Sequence, residues 1–308
     1  MTTGSNSPLS VSLVVPFIDQ LEILSTALLT AMGNAGGEFE MVAIDNASKD
    51  QFDLEACLAG APGREFCHEK LVTNARNLGV LASFQQGLAE AAGDILFFTH
   101  SDVLIHETDW VAKTRAIFTE HPRLGLAGLY GAKGIGTNGG RIAGMSNMQG
   151  KVWGKCQCHE IAAYHHGRRA TDYQQVTVLD GLGMAFRRSA LAQLAETTDA
   201  FAEWRAPHHF YDKILSLKTI DTGFTVGLLP FEFDHYNGAT AGRSAVYKTS
   251  AGLWLSEHSV PFTPGKEDQA IYLHAEQQML AEYSARFPIV TDGKGGYTEN
   301  FAGLLGEL

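Results

Sequence analysis

A histidine and an aspartate follow directly after a strand-like apolar run, in the segment "DILFFTHSDV". The run at residues 95–99 ends in His100, Ser101 and Asp102, three polar residues that a core strand would not select. A carboxylate such as Asp102 suits a hard divalent cation, whereas an imidazole such as His100 is a softer ligand. The pattern therefore indicates either a cation site or, for Asp102, an ordinary helix or turn cap.

The elements before this segment alternate between two hydrophobic periods. Strand-like runs occupy residues 11–17, 39–48, 67–74 and 94–99, and apolar residues at helical spacing follow the first and third of them. This order predicts an α/β fold with a mostly parallel sheet flanked by helices. Ligands bind beyond the carboxyl ends of such strands. The polar tips of the strands should therefore meet at one edge: Pro16, Phe17, Asp45, Asn46, Asn74, His100, Ser101 and Asp102.

Composition excludes several classes of protein. The 308 residues are 45% hydrophobic and carry a net charge of −11, which argues against a nucleic-acid partner and against a polybasic membrane anchor. No apolar run approaches the length of a transmembrane helix, and the first residues do not resemble a signal peptide. Four cysteines in so long a chain do not form a disulfide framework. We therefore expect a cytoplasmic enzyme with reduced thiols.

The chain beyond residue 130 is less regular. The glycine-rich segment 131–150 predicts a long irregular loop or mobile flap, since long loops in compact domains are usually lids or binding loops. After residue 240, one helix near residues 267–287 is the clear element. We expect residues 1–130 to bind one substrate, 131–242 to complete the same domain, and 243–308 to form a helical extension through which a homo-oligomer could assemble.

Six segments in a fixed order resemble the family-2-type inverting glycosyltransferases of the GT-A fold. They are "VVPF", "AIDNASKD", "NARNLGVLASFQQGLAEAAGDILFFTHSDV", "LDGLGMAFRRSAL", "HHFYDKILSLKTIDTGFTV" and "FDHYNGATAG". The His-x-Asp-Val sequence resembles a branch that carries His-Gln-Asp-Val where most members carry Asp-x-Asp. Each piece is short, but their order and spacing over residues 10–242 are specific together.

The resemblance implies the transfer of a sugar, with inversion, from a nucleotide-sugar donor of the UDP-sugar class to a hydroxyl acceptor. The acceptor would be a saccharide or a lipid-linked saccharide, as in polysaccharide biosynthesis. Mn²⁺ or Mg²⁺ would be the cofactor, with Asp102 and His235 as metal ligands. The implied donor-binding residues are Pro16, Phe17, Asp45, Asn46, Asn74, Arg76, Gly79, His100, Ser101 and Asp102.

The same resemblance implies the catalytic base. Family members place an aspartate at the start of the helix after the acceptor loop, which corresponds to Asp212, and Asp180 in "LDG" is the competing candidate. A helix N-terminus stabilises an anion, although acidic residues are common in any first helical turn. For Asp45 the alternative is an Asx-turn, and for His235 it is a hydrogen-bonded turn histidine.

Some positions depart from the family pattern. His100 replaces the first carboxylate of Asp-x-Asp, and we expect it to hydrogen-bond ribose or phosphate; Ala202 and Ile214 replace acidic residues. A non-catalytic glycosyltransferase-like module is therefore an alternative, and a sugar nucleotidyltransferase is a weaker one because the loop after the first strand lacks glycines and a basic residue. The cluster Cys156, Cys158, His159, His165 and His166 has an unusual spacing for zinc.

Overall fold

The structure is a computed structural model, and it describes residues 8–142, 144–155, 161–165, 167–197, 208–236 and 244–300. The helices are α1 Leu21–Gly33, α2 Leu54–Leu58, α3 Val80–Glu90, α4 Trp110–Glu120, α5 Arg188–Thr197, α6 Tyr211–Asp221, α7 Ala245–Glu257 and α8 Glu267–Tyr283. The strands are β1 Val11–Phe17, β2 Phe39–Asp45, β3 Cys67–Thr73, β4 Ile95–Thr99, β5 Val103–Ile105, β6 Leu124–Gly128, β7 Tyr130–Ala132, β8 Gly134–Ile135, β9 Ser146–Met148, β10 Lys151–Lys155, β11 Ile161–Tyr164, β12 Arg168–Arg169, β13 Gln174–Val176, β14 Val178–Leu179, β15 Gly183–Arg187, β16 Thr225–Leu228, β17 Phe233–Tyr236, β18 Ile289–Thr291 and β19 Tyr297–Glu299.

An eight-stranded sheet forms the centre, in the order β13-β16-β6-β15-β4-β1-β2-β3. The pairs β4-β1, β1-β2, β2-β3 and β16-β6 are parallel, whereas β15 runs antiparallel to both of its neighbours and β13 runs antiparallel to β16. The four strands predicted from the first hundred residues are all present. The predicted mixed α/β fold with a mostly parallel sheet is therefore confirmed.

Alternating residues of the central strands build one apolar layer on each face of the sheet. Val14, Val42 and Phe98 face a layer covered by α3, α5 and α6, while Leu13 and Phe97 face the layer covered by α1 and α4. Both faces are apolar, because the strands carry apolar residues at odd and even positions alike, as buried parallel strands do. The polar chemistry is thereby confined to the strand ends.

A second sheet carries the segment that continues from β4. Strand β5 pairs antiparallel with β17, and β17 pairs parallel with β10, in the order β11-β10-β17-β5. His235 of β17 is opposite Val103, the residue that follows Asp102, and the Tyr236 amide donates to the Asp102 carbonyl at 3.0 Å. This pairing brings two residues far apart in sequence to the same edge of the main sheet.

The segment 131–150 is not the irregular loop that its glycines suggested. It contains β7, β8 and β9, of which β7 pairs with β9 and with β14. Glycine is needed there for close packing: a Cβ atom on Gly131 would lie 2.9 Å from the Val178 carbonyl oxygen. A glycine-rich sequence resembles a loop when its strands are too short to show an alternating pattern.

The C-terminal extension packs against the main domain. It has two helices, where the sequence indicated one, and Leu255 of α7 and Ile271 of α8 are buried in the same apolar layer as α6. Strands β18 and β19 form a hairpin whose first strand pairs with β8. In the part of the chain described, no helix has both the length and the apolar character needed to cross a membrane.

Candidate active site

A cavity of about 510 Å³ opens at the carboxyl-terminal edge of the central sheet. The first half of the chain lines it with Pro16, Phe17, Ile18, Asn46, Asn77, Gly79, Val80, Ser83, His100, Ser101, Asp102 and Arg141. The second half lines it with Asp180, Gly181, His208, His209, Phe210, Tyr211, Asp212, Lys213, His235, Tyr247 and Tyr272. Seven of the ten predicted donor-binding residues, both predicted metal ligands and both candidate bases therefore line one space.

Asp102, His100 and His235 form a cluster at the end of β4. His235 Nε2 lies 3.3 Å from Asp102 Oδ1, and their side chains are only 8% and 7% exposed. The three side chains each offer one ligand atom, and these atoms lie within 4.8 Å of one another. Two imidazoles and one carboxylate can hold a divalent cation while leaving positions open for other oxygen ligands.

The charges of this cluster favour such a role. Burial raises the pKa of Asp102, but the contact with His235 lowers it, and the net pKa is below the ordinary value. Burial lowers the pKa of His100, and His235 lowers it further. Asp102 is thus held as an anion and His100 as a neutral imidazole, which are the forms that bind metal ions.

Tyr211 orients the His100 ring. The Tyr211 hydroxyl is 2.9 Å from His100 Nε2 and belongs to the first turn of α6. A Cβ atom at position 181 would lie 2.0 Å from this hydroxyl, so the glycine of the "LDG" segment makes room for the tyrosine. The contact links the cluster around Asp102 to α6, the helix that carries Asp212.

Asp180 and Asp212 lie on either side of one guanidinium group. Arg141 Nη2 donates to Asp180 Oδ2 at 2.9 Å and to Asp212 Oδ2 at 3.5 Å, as well as to the Leu179 carbonyl at 3.0 Å. The guanidinium also stacks over the Tyr130 ring at 4.5 Å. Asp212 Oδ1 accepts a hydrogen bond from the Lys213 amide at 2.9 Å, as expected for an acid in the first helical turn.

This arrangement shifts the pKa values of the two carboxyl groups in opposite directions. For Asp180, burial raises the pKa, but the charges of Arg141, His235 and His100 together lower it more, and the net pKa is below the ordinary value. For Asp212, burial raises the pKa and the neighbouring Asp180 charge raises it further, against the opposing charges of Arg141 and Lys213. Two titratable groups whose environments push their pKa values apart are typical of acid–base sites.

Three predicted donor-binding residues lie outside the cavity lining. Asp45 is buried and its Oδ1 accepts from the Ser48 amide at 2.8 Å, which is the turn-type contact that was its alternative interpretation. Asn74 bonds to Asn46 Oδ1 at 3.1 Å and exchanges two hydrogen bonds with Gln86, so it supports the Asn46 side chain. Arg76 is exposed on the loop before α3.

Sequence reasoning missed Arg141, Tyr211 and Lys213. Arg141 stands between glycines and an isoleucine without any motif, whereas Tyr211 and Lys213 flank the predicted Asp212 and could have been considered with it. Ala202 and, of the cysteine–histidine cluster, Cys156, Cys158, His159 and His166 lie outside the described residues.

The fold and the edge cavity define the class. A mostly parallel sheet with a polar cluster beyond the carboxyl end of β4 agrees with the GT-A fold that the sequence resemblance implied. The family described as "Glycosyltransferase like family" matches residues 69–235, more than half of the chain. The chain belongs to this glycosyltransferase family, and the resemblance seen in its sequence is confirmed.

Relatives and solved structures agree with that assignment. A PGL/p-HBAD biosynthesis glycosyltransferase of Mycobacterium tuberculosis, and the same-named protein of Mycobacterium bovis, are 24% identical over 157 residues, which cover 51% of this chain and 59% of the relative. The chain thus spans about three fifths of the length of these curated relatives. The structure of S. aureus TarS 1-349 in complex with UDP-GlcNAc is 15% identical, with a TM-score of 0.50 over 91% of this chain and 76% of that one. This likeness supports the fold.

Proposed function

We propose that this chain transfers a sugar, with inversion, from a UDP-sugar to a hydroxyl group of a saccharide or lipid-linked saccharide. The observation that carries the proposal is that one cavity is lined by two chemically different groups of side chains. We assign the cluster of Asp102, His100 and His235 to a donor wall and the carboxyl pair Asp180 and Asp212 to an acceptor wall. A donor and an acceptor bound between these walls would have the leaving group and the nucleophile on opposite sides.

The donor wall suits a nucleoside diphosphate. Asp102 and His235 would hold Mn²⁺ or Mg²⁺, and the ligand distances make His100 a third candidate ligand beyond the two predicted from the sequence. When bound, the cation would supply positive charge for the diphosphate leaving group. Because two of the three side chains are imidazoles, we expect Mn²⁺ to bind more tightly than Mg²⁺.

Asp212 is the better candidate for the general base. Inversion requires a group that accepts the proton of the acceptor hydroxyl as it attacks. Asp180 forms the shorter contact to Arg141, 2.9 Å against 3.5 Å, and is therefore the weaker proton acceptor. Asp212 retains a raised pKa and lines the cavity beside Phe210 and Tyr211. Asp180 would hold Arg141 in place and thereby tune Asp212.

The acceptor would lie near the aromatic part of this wall. Phe210, Tyr211, Tyr247 and Tyr272 line the cavity around Asp212, and aromatic rings of this kind pack against the apolar faces of sugars. The S. aureus TarS structure, which has this fold, contains UDP-GlcNAc, and this supports UDP-sugars as the first donors to test.

A donor-hydrolysis assay tests the proposal. Purified protein is incubated with UDP-glucose, UDP-galactose, UDP-GlcNAc or GDP-mannose, with Mn²⁺ or with a chelator, and released nucleotide is measured. We expect metal-dependent release of UDP from at least one UDP-sugar, which falls in Asp102→Asn. A protein that binds UDP but releases none from any donor, with or without acceptor saccharides, would instead be a non-catalytic binding module.

A further inference from the structure

A second group of side chains that could bind a metal ion lies at the rim of the cavity. It consists of His208, His209 and Asp268. The two histidines precede α6, and Asp268 belongs to the first turn of α8 in the C-terminal extension. One ligand atom from each of the three side chains lies within 4.8 Å of the other two. None of the three residues belongs to the cluster around Asp102, and the proposed sugar transfer assigns them no role.

Three polar groups converge on a single oxygen atom of this group. Asp268 Oδ1 lies 2.8 Å from His209 Nε2, 2.8 Å from the Tyr247 hydroxyl and 3.4 Å from His208 Nε2. A carboxylate oxygen has two lone pairs, which His209 and Tyr247 occupy. His208 Nε2 is buried and has no hydrogen-bond partner among the residues that the structure describes. Hydrogen bonding alone therefore leaves one buried nitrogen unsatisfied, which folded proteins rarely tolerate.

The backbone brings the two imidazoles to the same side. His209 and Phe210 both have positive φ angles, of 67° and 57°, in the left-handed region that non-glycine residues avoid. In an extended chain, neighbouring side chains point to opposite sides. Here the two rings are 4.9 Å apart, and both present Nε2 to Asp268. Such an unfavourable conformation persists where the surrounding structure requires it, and it is often found at functional sites.

We propose that His208, His209 and Asp268 bind a zinc-type transition-metal ion that joins the C-terminal extension to the start of α6. Two histidines and one carboxylate are a common zinc ligand set with a fourth position for water. With bonds of about 2.0–2.1 Å, ligand atoms of a tetrahedral zinc site are about 3.3 Å apart. The observed separations of 2.8 and 3.4 Å from Asp268 Oδ1 lie on either side of this value.

Bound metal would remove the excess of donors. Both Nε2 atoms would then give their lone pairs to the cation, the buried His208 nitrogen would gain a partner, and Tyr247 could keep its hydrogen bond to Asp268. The ion would also connect two parts of the chain that are 59 residues apart, and it would hold in place the segment that leads to Asp212. This role is separate from that of the cluster around Asp102.

Metal counting in an Asp102→Asn background tests the proposal without interference from the first cluster. The protein is stripped with a chelator, reloaded with Zn²⁺, freed of excess ion by gel filtration, and its zinc is measured. We expect Asp102→Asn/Asp268→Asn to bind one zinc per chain fewer than Asp102→Asn/Glu267→Gln. Glu267 is the matched control, because it is acidic, lies in the same helical turn and bonds to the Gly265 amide instead.

A second variant and a second measurement guard against misfolding. His209→Gln in the same background, with 30% of the histidine side chain exposed, should also lose one zinc while keeping the circular dichroism of its parent. Added Zn²⁺ should raise the Tm of the Glu267→Gln control but not that of either site variant. Equal zinc content and equal Tm shifts in control and site variants would overturn the proposal, as would an Asp102→Asn protein that binds no zinc.

Discussion

Asp180 and Asp212 compete for the same atom, Arg141 Nη2, and Asp180 is the closer of the two, at 2.9 Å against 3.5 Å. Both carboxyl groups line the cavity, so the arginine decides which of them stays ionised and which can take a proton. The order of the two distances agrees with the directions of the pKa shifts, lowered for Asp180 and raised for Asp212.

Asp212→Asn should abolish most of the transferase activity while leaving donor binding intact. The amide keeps the size of the side chain but cannot accept the proton of the acceptor hydroxyl. We expect kcat to fall by about 10²–10⁴-fold, which corresponds to roughly 2.7–5.4 kcal/mol in the barrier. Transfer kinetics together with UDP binding by calorimetry check this. Asp180→Asn is the control, and if that variant is inactive while Asp212→Asn still transfers sugar, the two roles must be exchanged.

The pH dependence should report the raised pKa of Asp212. The base must be ionised, so activity is lost as the pH falls through its pKa. Because burial and Asp180 raise this pKa, the loss should occur at a higher pH than for an ordinary aspartate, whose pKa is about 3.9. Arg141→Met removes the cation that opposes this shift, so the acid limb of the kcat profile should move to still higher pH. Arg141→Lys keeps the charge and should move it less; equal profiles for all three proteins would contradict this account.

Metal dependence should follow Asp102 and not the nearby Asp234. Mn²⁺ should strengthen UDP binding more than Mg²⁺, because imidazole ligands favour the softer ion. Asp102→Asn should remove this enhancement. Asp234→Asn should preserve it, since Asp234 lies next to His235 but contacts His106 at 3.1 Å, away from the cluster. Calorimetric titration of UDP with and without each ion measures the effect, and an unchanged metal response in Asp102→Asn would refute the ligand assignment.

Gly181→Ala should damage the site through Tyr211. The added methyl group would lie 2.0 Å from the Tyr211 hydroxyl, so the ring must move and its contact with His100 is lost. Tyr211→Phe removes only the hydroxyl and should be milder. We expect Gly181→Ala to weaken metal-dependent UDP binding more than Tyr211→Phe does. If the two variants bind equally, the position of the ring does not matter and only its hydrogen bond does.

The sequence could predict which side chains lie at the strand ends, but it could not predict the contacts that Arg141 makes with Asp180 and Asp212. Asp102 follows an apolar strand, so its place at the sheet edge follows from the pattern of residues 95–102. Arg141 reaches Asp180 and Asp212 only because the short strands of 131–150 fold back against β14, and the hydrophobic period gives no sign of this. Asp45 also ends a strand, yet its carboxylate does not line the cavity, because it accepts a local hydrogen bond from the Ser48 amide.

Packing between α3 and the central sheet gives a prediction that does not depend on function. Gly87 of α3 lies against the sheet, where a Cβ atom would be 2.6 Å from Phe98 Cε1 and 2.9 Å from Val14 Cγ1. Both neighbours belong to the close-packed core, so Gly87→Ala should lower the free energy of unfolding by about 1–3 kcal/mol, despite the higher helix propensity of alanine.

Gly33→Ala is the matched control, because Gly33 lies at the end of α1 with no atom within 4 Å of the added carbon. This variant should be neutral or stabilising by up to about 1 kcal/mol. Urea unfolding followed by circular dichroism compares them, and a Gly87→Ala protein as stable as Gly33→Ala would show that α3 can move away from the sheet without loss.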